Sequence, residues 1–170
     1  MGRRPWSPRP LRRKVPWRKV GVPRYLTHYW DNETWEANRG RRGTLSAIYG
    51  NQFFRRGVAI GDLVYVVTVR NGNLLLGGRL EVGSRTKYDK PIVAEWMEEI
   101  RAKPDSATDF DAAMEVPREL AERLVITSYR GPVALKFDEA GLYHQRMRTM
   151  RELTPESAAE LECLLDLRPH

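Results

Sequence analysis

A group of aromatic side chains lies close to polar residues in the first half of the chain. The aromatic residues are Tyr29, Trp30, Trp35, Tyr49, Phe53, Phe54 and Tyr65, and polar neighbours are His28, Asn51 and Asp62. Proteins hold an unpaired or flipped-out base by stacking aromatic faces on it while a few side chains read its hydrogen-bonding edge. The cluster therefore predicts a base-binding pocket. The alternative is that these aromatic residues form the core of a small barrel.

Arginines follow two of these aromatic segments and provide candidate phosphate contacts. Arg39, Arg41 and Arg42 come just after Trp35, whereas Arg55 and Arg56 come directly after Phe54. Cations close to a bound base can neutralise the flanking phosphates. The first three arginines have a second interpretation, because cations near the C-terminus of a helix also complement the helix dipole.

Residue patterns for other chemistry are missing from the sequence. The three histidines are far apart, and no His or Cys pair has the spacing of metal ligands. The chain has no phosphate-binding loop of the Walker type and no G-x-S-x-G nucleophile motif. The sequence therefore predicts no catalytic residue, no metal and no cofactor. A nuclease or base-modifying hydrolase that uses carboxylates near the central hairpin is the enzymatic alternative.

The central hairpin is the strongest structural signal in the chain. An apolar and β-branched run, Leu63–Val69, and a returning run, Leu74–Val82, flank Asn71 and Gly72. An Asn-Gly pair tolerates the positive φ angles of a tight hairpin turn. Because an isolated hairpin is unstable in water, the pattern predicts a larger sheet around it.

Further elements are predicted on both sides of this hairpin. Residues 24–30 favour a strand, and Asp31 is a candidate N-cap for a short helix that ends near Gly40. After the hairpin, the apolar spacing over residues 92–102 predicts a helix. A short helix follows Pro117, two strands follow between residues 124 and 137, and a final helix has Thr154 as its cap.

Charge divides the chain into unequal segments. Residues 1–24 carry a net charge of +9, residues 25–90 carry +4, and residues 91–170 carry −6. Five prolines and the like charges of residues 1–23 predict an extended basic arm, which either is a solvated tail or follows a phosphate backbone. The resulting organisation is an arm over residues 1–23, a domain over residues 24–153 and a C-terminal helix over residues 154–170.

The sequence also predicts the surroundings of the protein. No apolar run reaches the roughly 20 residues of a membrane span, and the basic start lacks the apolar stretch of a signal peptide. Cys163 is the only cysteine, so no intrachain disulfide is possible. We expect a soluble, cytoplasmic protein with nucleic acid as its partner and no membrane. The helix after Thr154 is expected to pack on the domain or to form a homodimer, which leaves a dimeric interaction subunit as a further alternative.

The order of these elements resembles the EVE domains of the PUA-like superfamily, which are related to ASCH and YTH domains. The resemblance covers roughly residues 24 to 137 and depends on YLTHYWDNETWE and on VAIGDLVYVVTVRNGNLLLGGRLEV, in which Gly61-Asp62 is the most characteristic pair. The segment IYGNQFFRRG departs from the Pro-containing segment that EVE domains tend to have at this place.

The resemblance implies an α+β fold in which a small, strongly bent PUA-like β-barrel has helices at its rim. It also implies a pocket for a base, often a chemically modified one, that is flipped out of DNA or presented by RNA. The implied pocket residues are Tyr29, Trp30, Trp35, Tyr49, Asn51, Phe53 and Tyr65. The basic arm and the C-terminal helix lie outside the resemblance.

Overall fold

The computed structural model describes residues 21–41, 43–128 and 130–167, and these ranges form an α+β fold. The strands are β1 (Tyr25–Tyr29), β2 (Ala47–Gly50), β3 (Leu63–Arg70), β4 (Asn73–Lys87), β5 (Glu98–Ala102), β6 (Val125–Ser128), β7 (Gly131–Ala134), β8 (Phe137–Asp138), β9 (Gly141–Leu142) and β10 (Arg151–Leu153). The α-helices are α1 (Asn32–Asn38), α2 (Arg118–Arg123) and α3 (Pro155–Asp166). The predicted α+β class is confirmed.

Eight strands form one mixed sheet. Their order is β2-β5-β4-β3-β1-β10-β6-β7, and β8 and β9 form a separate pair. Strands β1 and β3 are parallel, whereas the other neighbours in the large sheet are antiparallel. Over the described ranges this order begins at β2 and ends at β7, so the sheet is not closed into a barrel.

The predicted hairpin is confirmed and forms the centre of the sheet. Strands β3 and β4 pair antiparallel from Leu63↔Glu81 to Arg70↔Asn73. Asn71 and Gly72 connect them with φ angles of 50° and 77°, as a two-residue turn with positive φ at both positions requires. This turn fixes which residues of the two strands face each other.

Strand β3 is buried on both faces. Tyr65 and Val67 belong to a hydrophobic cluster that also contains residues of α2 and α3. Val64 and Val66 point to a second cluster, which contains Trp30. Because successive side chains of a strand point to opposite faces, the uninterrupted apolar run of β3 contributes to both cores.

Gly77 of β4 allows aromatic side chains to approach the sheet. A register shift between Val66 and Val67 leaves Gly77 without a partner across the ladder. A Cβ atom at Gly77 would lie 2.5 Å from a ring carbon of Phe110 and 3.0 Å from one of Trp35. Glycine therefore makes room for the aromatic core next to α1.

The predicted helix caps at both ends of the fold are confirmed. The side chain of Asp31 accepts a hydrogen bond from the backbone N–H of Thr34, and that of Thr154 accepts one from Ser157. Pro155 occupies the first turn of α3. Ala158, Leu161 and Leu165 of α3 are buried in the same cluster as Tyr65, so the apolar face of this helix packs on its own sheet. Homodimerisation through this helix stays a prediction.

The predicted helix over residues 92–102 is wrong. Residues 98–102 are β5, whose Ile100 faces Ile48 of β2 on one side and Arg85 of β4 on the other. The apolar residues at helical spacing have different surroundings, because Ile100 is fully buried while Ile92 is 38% exposed. Pairing with two neighbouring strands outweighed the local helical pattern.

The predicted division into arm, domain and C-terminal helix stays a prediction. Residues 1–20 of the arm lie outside the described residues, as do residues 168–170 of the C-terminal segment.

Candidate functional site

A small cavity lies where the ends of several elements meet, and we call it the strand-end cavity. Its volume is about 170 Å³, which is below the roughly 300–1,000 Å³ of pockets for drug-sized ligands. It is lined by His28, Tyr29, Trp30, Asp31, Thr34, Tyr49, Gly50, Asn51, Gln52, Trp96 and Arg148. These residues come from the ends of β1 and β2, the start of α1, the loop before β5 and the segment before β10.

Trp30 forms a wall that the aromatic core holds in place. Its ring lies 6.4 Å from the ring of Trp35 and 5.4 Å from that of Phe110, measured between centroids. The indole N–H of Trp35 in turn donates a hydrogen bond to the carbonyl oxygen of Ala112 at 3.2 Å. Trp30 is only 7% exposed, so its orientation is set by this packing.

Trp96 lies on an exposed loop that is held next to the cavity by hydrogen bonds to Asn51. The side-chain amide of Asn51 donates to the carbonyl oxygen of Glu95 at 3.2 Å, and its oxygen accepts from the N–H of Met97 at 2.8 Å. The backbone of Trp96 bonds to Val93 and Ile92, closing a tight turn. Asn51, one of the predicted pocket residues, lines the cavity, and its two hydrogen bonds fix the backbone on either side of Trp96.

His28 contributes a neutral imidazole. Burial lowers the pKa of His28 from 6.5 to about 4, and a hydrogen bond with the backbone of Tyr49 opposes this shift only in part. Phe53 packs behind the imidazole, with 5.1 Å between ring centroids. At neutral pH one ring nitrogen bonds the Tyr49 backbone as a donor, so the other is an acceptor.

The buried imidazole makes stability depend on pH. Because the pKa of His28 falls from 6.5 in the unfolded chain to about 4 in the folded one, protons bind preferentially to the unfolded chain. The contribution of His28 to the free energy of unfolding is complete above about pH 6.5 and is lost as the pH falls towards about 4. We expect it to decrease by about 2 kcal/mol between about pH 7 and about pH 5.

Urea unfolding of the protein and of His28→Gln at both pH values measures this loss. The variant should lack that part of the pH dependence, whatever its stability at neutral pH. An equal change in the free energy of unfolding for both proteins would contradict a neutral, buried His28.

Other polar groups of the cavity have hydrogen-bonding capacity left. The Gln52 oxygen accepts from the N–H of Met150 at 3.2 Å, which leaves its amide N–H groups as donors. One Asp31 oxygen accepts from Thr34 at 2.8 Å, which leaves the other as an acceptor. Together with His28, they present both donors and acceptors beside aromatic walls.

The structure brings together Tyr29, Trp30, Tyr49 and Asn51 of the predicted pocket residues. Trp35, Phe53 and Tyr65 are fully buried and do not line the strand-end cavity. Trp35 and Phe53 pack behind Trp30 and His28. Tyr65 belongs to the core on the other face of the sheet from Trp30, Trp35 and Phe53. Its hydroxyl donates a hydrogen bond to Glu162 of α3 at 2.7 Å.

The first group of predicted phosphate-binding arginines is engaged locally. Arg39 forms an ion pair with Glu36 at 3.3 Å, and the guanidinium of Arg41 donates to the carbonyl oxygen of Thr44 at 3.3 Å. Arg42 lies outside the described residues. Neither Arg39 nor Arg41 is among the residues that line the cavity.

The second group belongs to an arginine cluster, defined as Arg24, Arg55, Arg56 and Arg151. Partial burial, followed by the charges of Arg55, Arg151 and Arg24, lowers the pKa of Arg56. Arg24 is neutralised by Glu152 at 2.9 Å. A turn connects this cluster to the cavity: the N–H of Arg56 donates a hydrogen bond at 2.8 Å to the carbonyl oxygen of Gln52, which lines the cavity.

Sequence reasoning missed Trp96 and Arg148. Trp96 lies within residues 92–102, for which the apolar spacing predicts a helix, and the structure has no helix over these residues. Arg148 lies on the cavity and makes no hydrogen bond or ion pair with another described residue. The sequence around Arg148 does not indicate this position, because the pairing of β10 with β1, far away along the chain, brings the segment to the site.

Comparison of the chain with known protein families, curated proteins and solved structures found no match. Within residues 21–41, 43–128 and 130–167, no helix is both long and apolar enough for a membrane span. The same ranges contain no group of three or more His, Cys, Asp or Glu side chains arranged to hold a metal ion.

Proposed function

We propose that this protein binds nucleic acid by taking one modified, unpaired or flipped-out base into the strand-end cavity. One observation carries the proposal: Tyr29, Trp30, Tyr49 and Trp96 surround a single cavity of about 170 Å³. Aromatic walls stack on the faces of a base, and each stacked base contributes roughly 1–3 kcal/mol. His28, Asp31 and Gln52 offer the acceptors and donors that read its edge.

Phosphates next to the base would lie against positive charge. Arg148 is at the cavity itself, and Arg55 and Arg56 follow Gln52 in the adjoining turn. The mutual repulsion among the arginines of the cluster would be relieved by an anion. Each phosphate contact should therefore release counterions and make binding depend on salt.

The resemblance to an EVE domain belongs to the same proposal. It is supported by the order of strand, capped helix, short strand and hairpin, and by the convergence of the first two strand ends on the cavity. A PUA-like barrel would also require contact between the edges of the sheet, and β2 and β7 do not pair with each other in the described residues.

Titration of the protein against modified and unmodified single strands and duplexes, at about 50 and about 200 mM salt, tests this function. We expect binding that weakens with salt, and we expect Arg56→Ala to reduce the slope of log K against log salt by about 0.7 to 0.9. Arg123→Ala is the matched control. Arg123 forms an ion pair with Glu160, does not line the cavity and does not belong to the arginine cluster. Salt-insensitive binding, or no binding to any of these ligands, would refute the proposal.

A further inference from the structure

A second concavity lies next to the strand-end cavity, and we call it the hairpin groove. Its volume is about 400 Å³, and it extends over the β3–β4 turn and the residues around β9. Tyr29, Asp31 and Arg148 line both the groove and the cavity. The two spaces are therefore adjacent, and Arg148 lies at their boundary.

The floor of the groove is rigid. The hairpin turn packs directly against the residues before β9, where the N–H of Leu142 donates to the carbonyl oxygen of Gly72 at 2.7 Å. A Cβ atom at Gly72 would overlap the carbonyl oxygen of Ala140, so glycine permits this approach. A preformed floor lowers the entropy lost when a ligand binds.

The walls of the groove combine an exposed aromatic ring with free amides. Tyr143 is 55% exposed, and its ring meets that of His144 in an edge arrangement at 5.2 Å between centroids. The side-chain amides of Asn32 and Asn71 also line the groove, and they make no hydrogen bond with other described residues. An open ring face beside amides suits stacking and edge recognition of a second base.

Charge within the groove indicates where a phosphate would lie. Asp31 and Asp138 also line it, and each has one carboxylate oxygen bound to a backbone N–H of its own turn, at 2.8 and 2.9 Å. Asp138 would repel a phosphate from its part of the groove, and Asp31, which lines both spaces, is the carboxylate whose charge Arg148 offsets at their boundary. Arg148, which has no described partner, attracts a phosphate to the junction between groove and cavity.

We propose that the hairpin groove binds the nucleotide next to the one in the strand-end cavity, with Arg148 on the phosphate between them. The inference depends on the proposed function and specifies its ligand as a single strand of at least two nucleotides. Neighbours of a base that is flipped out of a duplex stay paired and stacked, so they cannot enter the groove. Unpaired, splayed bases can occupy both sites.

Titration with nucleoside 5′-monophosphates and with the corresponding dinucleotides tests the inference. We expect a dinucleotide to bind about 5- to 150-fold more tightly than a monophosphate, as stacking on a second aromatic side chain provides. Tyr143→Ala should remove this gain and leave monophosphate binding unchanged, whereas Tyr143→Phe should retain it. Because Tyr143 is exposed, its replacement leaves the core intact.

The outcomes separate this inference from the function on which it depends. Monophosphate binding without a gain for dinucleotides, or a gain that survives Tyr143→Ala, would overturn the inference alone. Tighter binding of a duplex than of the same sequence as a single strand would also overturn it. Absence of binding to both monophosphates and dinucleotides would overturn the proposed function as well.

Discussion

Replacing Trp96 by alanine is expected to weaken the binding of nucleoside 5′-monophosphates by about 5- to 150-fold, which corresponds to the roughly 1–3 kcal/mol of one stacking contact. Trp96 lines the strand-end cavity from a loop, and Asn51 holds the backbone on both sides of it. The side chain is partly exposed, unlike the buried Trp30. Its loss should therefore remove a ligand contact without opening the core.

Two variants control for the effect of Trp96→Ala. Ile92→Ala shortens an exposed apolar side chain of the same loop that does not line the cavity, so binding should be unchanged. Trp96→Phe retains an aromatic face and should keep most of the affinity. If Trp96→Ala binds as tightly as the unmodified protein in isothermal titration calorimetry, Trp96 is not a wall of the binding site.

Replacing Glu162 by alanine is expected to lower the free energy of unfolding by about 2 to 4 kcal/mol. Glu162 of α3 accepts the hydroxyl of Tyr65 at 2.7 Å and the guanidinium of Arg79 at 2.9 to 3.2 Å. Burial, and then the bond to Glu162, raises the pKa of Tyr65, so the hydroxyl remains a donor. Without the carboxylate, the buried hydroxyl of Tyr65 loses its acceptor, and the partly buried Arg79 loses its counter-charge while it keeps the hydrogen bond to the carbonyl oxygen of Ser106.

Glu160→Ala is the matched control, because Glu160 lies on the same helix and also pairs with an arginine. The side chains of Glu160 and Arg123 are 42% and 59% exposed, compared with 28% and 23% for Glu162 and Arg79. An exposed pair contributes less than about 1 kcal/mol. Urea unfolding compares the two variants, and equal losses would show that the buried network adds nothing beyond an ordinary surface pair.

Local sequence signals predicted the elements whose geometry is set by neighbouring residues. The Asn71-Gly72 turn and the caps at Asp31 and Thr154 form as expected, since each depends on the conformation or hydrogen bonds of a few consecutive residues. Periodicity was less reliable where a segment is paired on both sides. Residues 98–102 became a strand between β2 and β4 despite their helical spacing.

The candidate site was harder to predict because it depends on which face of the sheet each side chain occupies. Tyr65 pairs with Thr27 of β1, two residues before Tyr29, which lines the cavity. The Tyr65 side chain nevertheless points into the core that contains residues of α3. Trp35 and Phe53 are one layer behind the cavity rather than in it. Composition identified the aromatic cluster, whereas the division between walls and supporting core required the packing around Gly77 and Gly50.

The most direct test of base binding is the indole N–H region of the ¹H–¹⁵N NMR spectrum during titration with nucleoside 5′-monophosphates and their methylated counterparts. Trp→Phe variants assign the signals. We expect the signals of Trp30 and Trp96 to shift with one common saturation curve, while that of Trp35, whose N–H is bonded to Ala112 in the core, moves least. Indole signals of Trp30 and Trp96 that stay unchanged with every ligand would contradict binding of a base in the strand-end cavity.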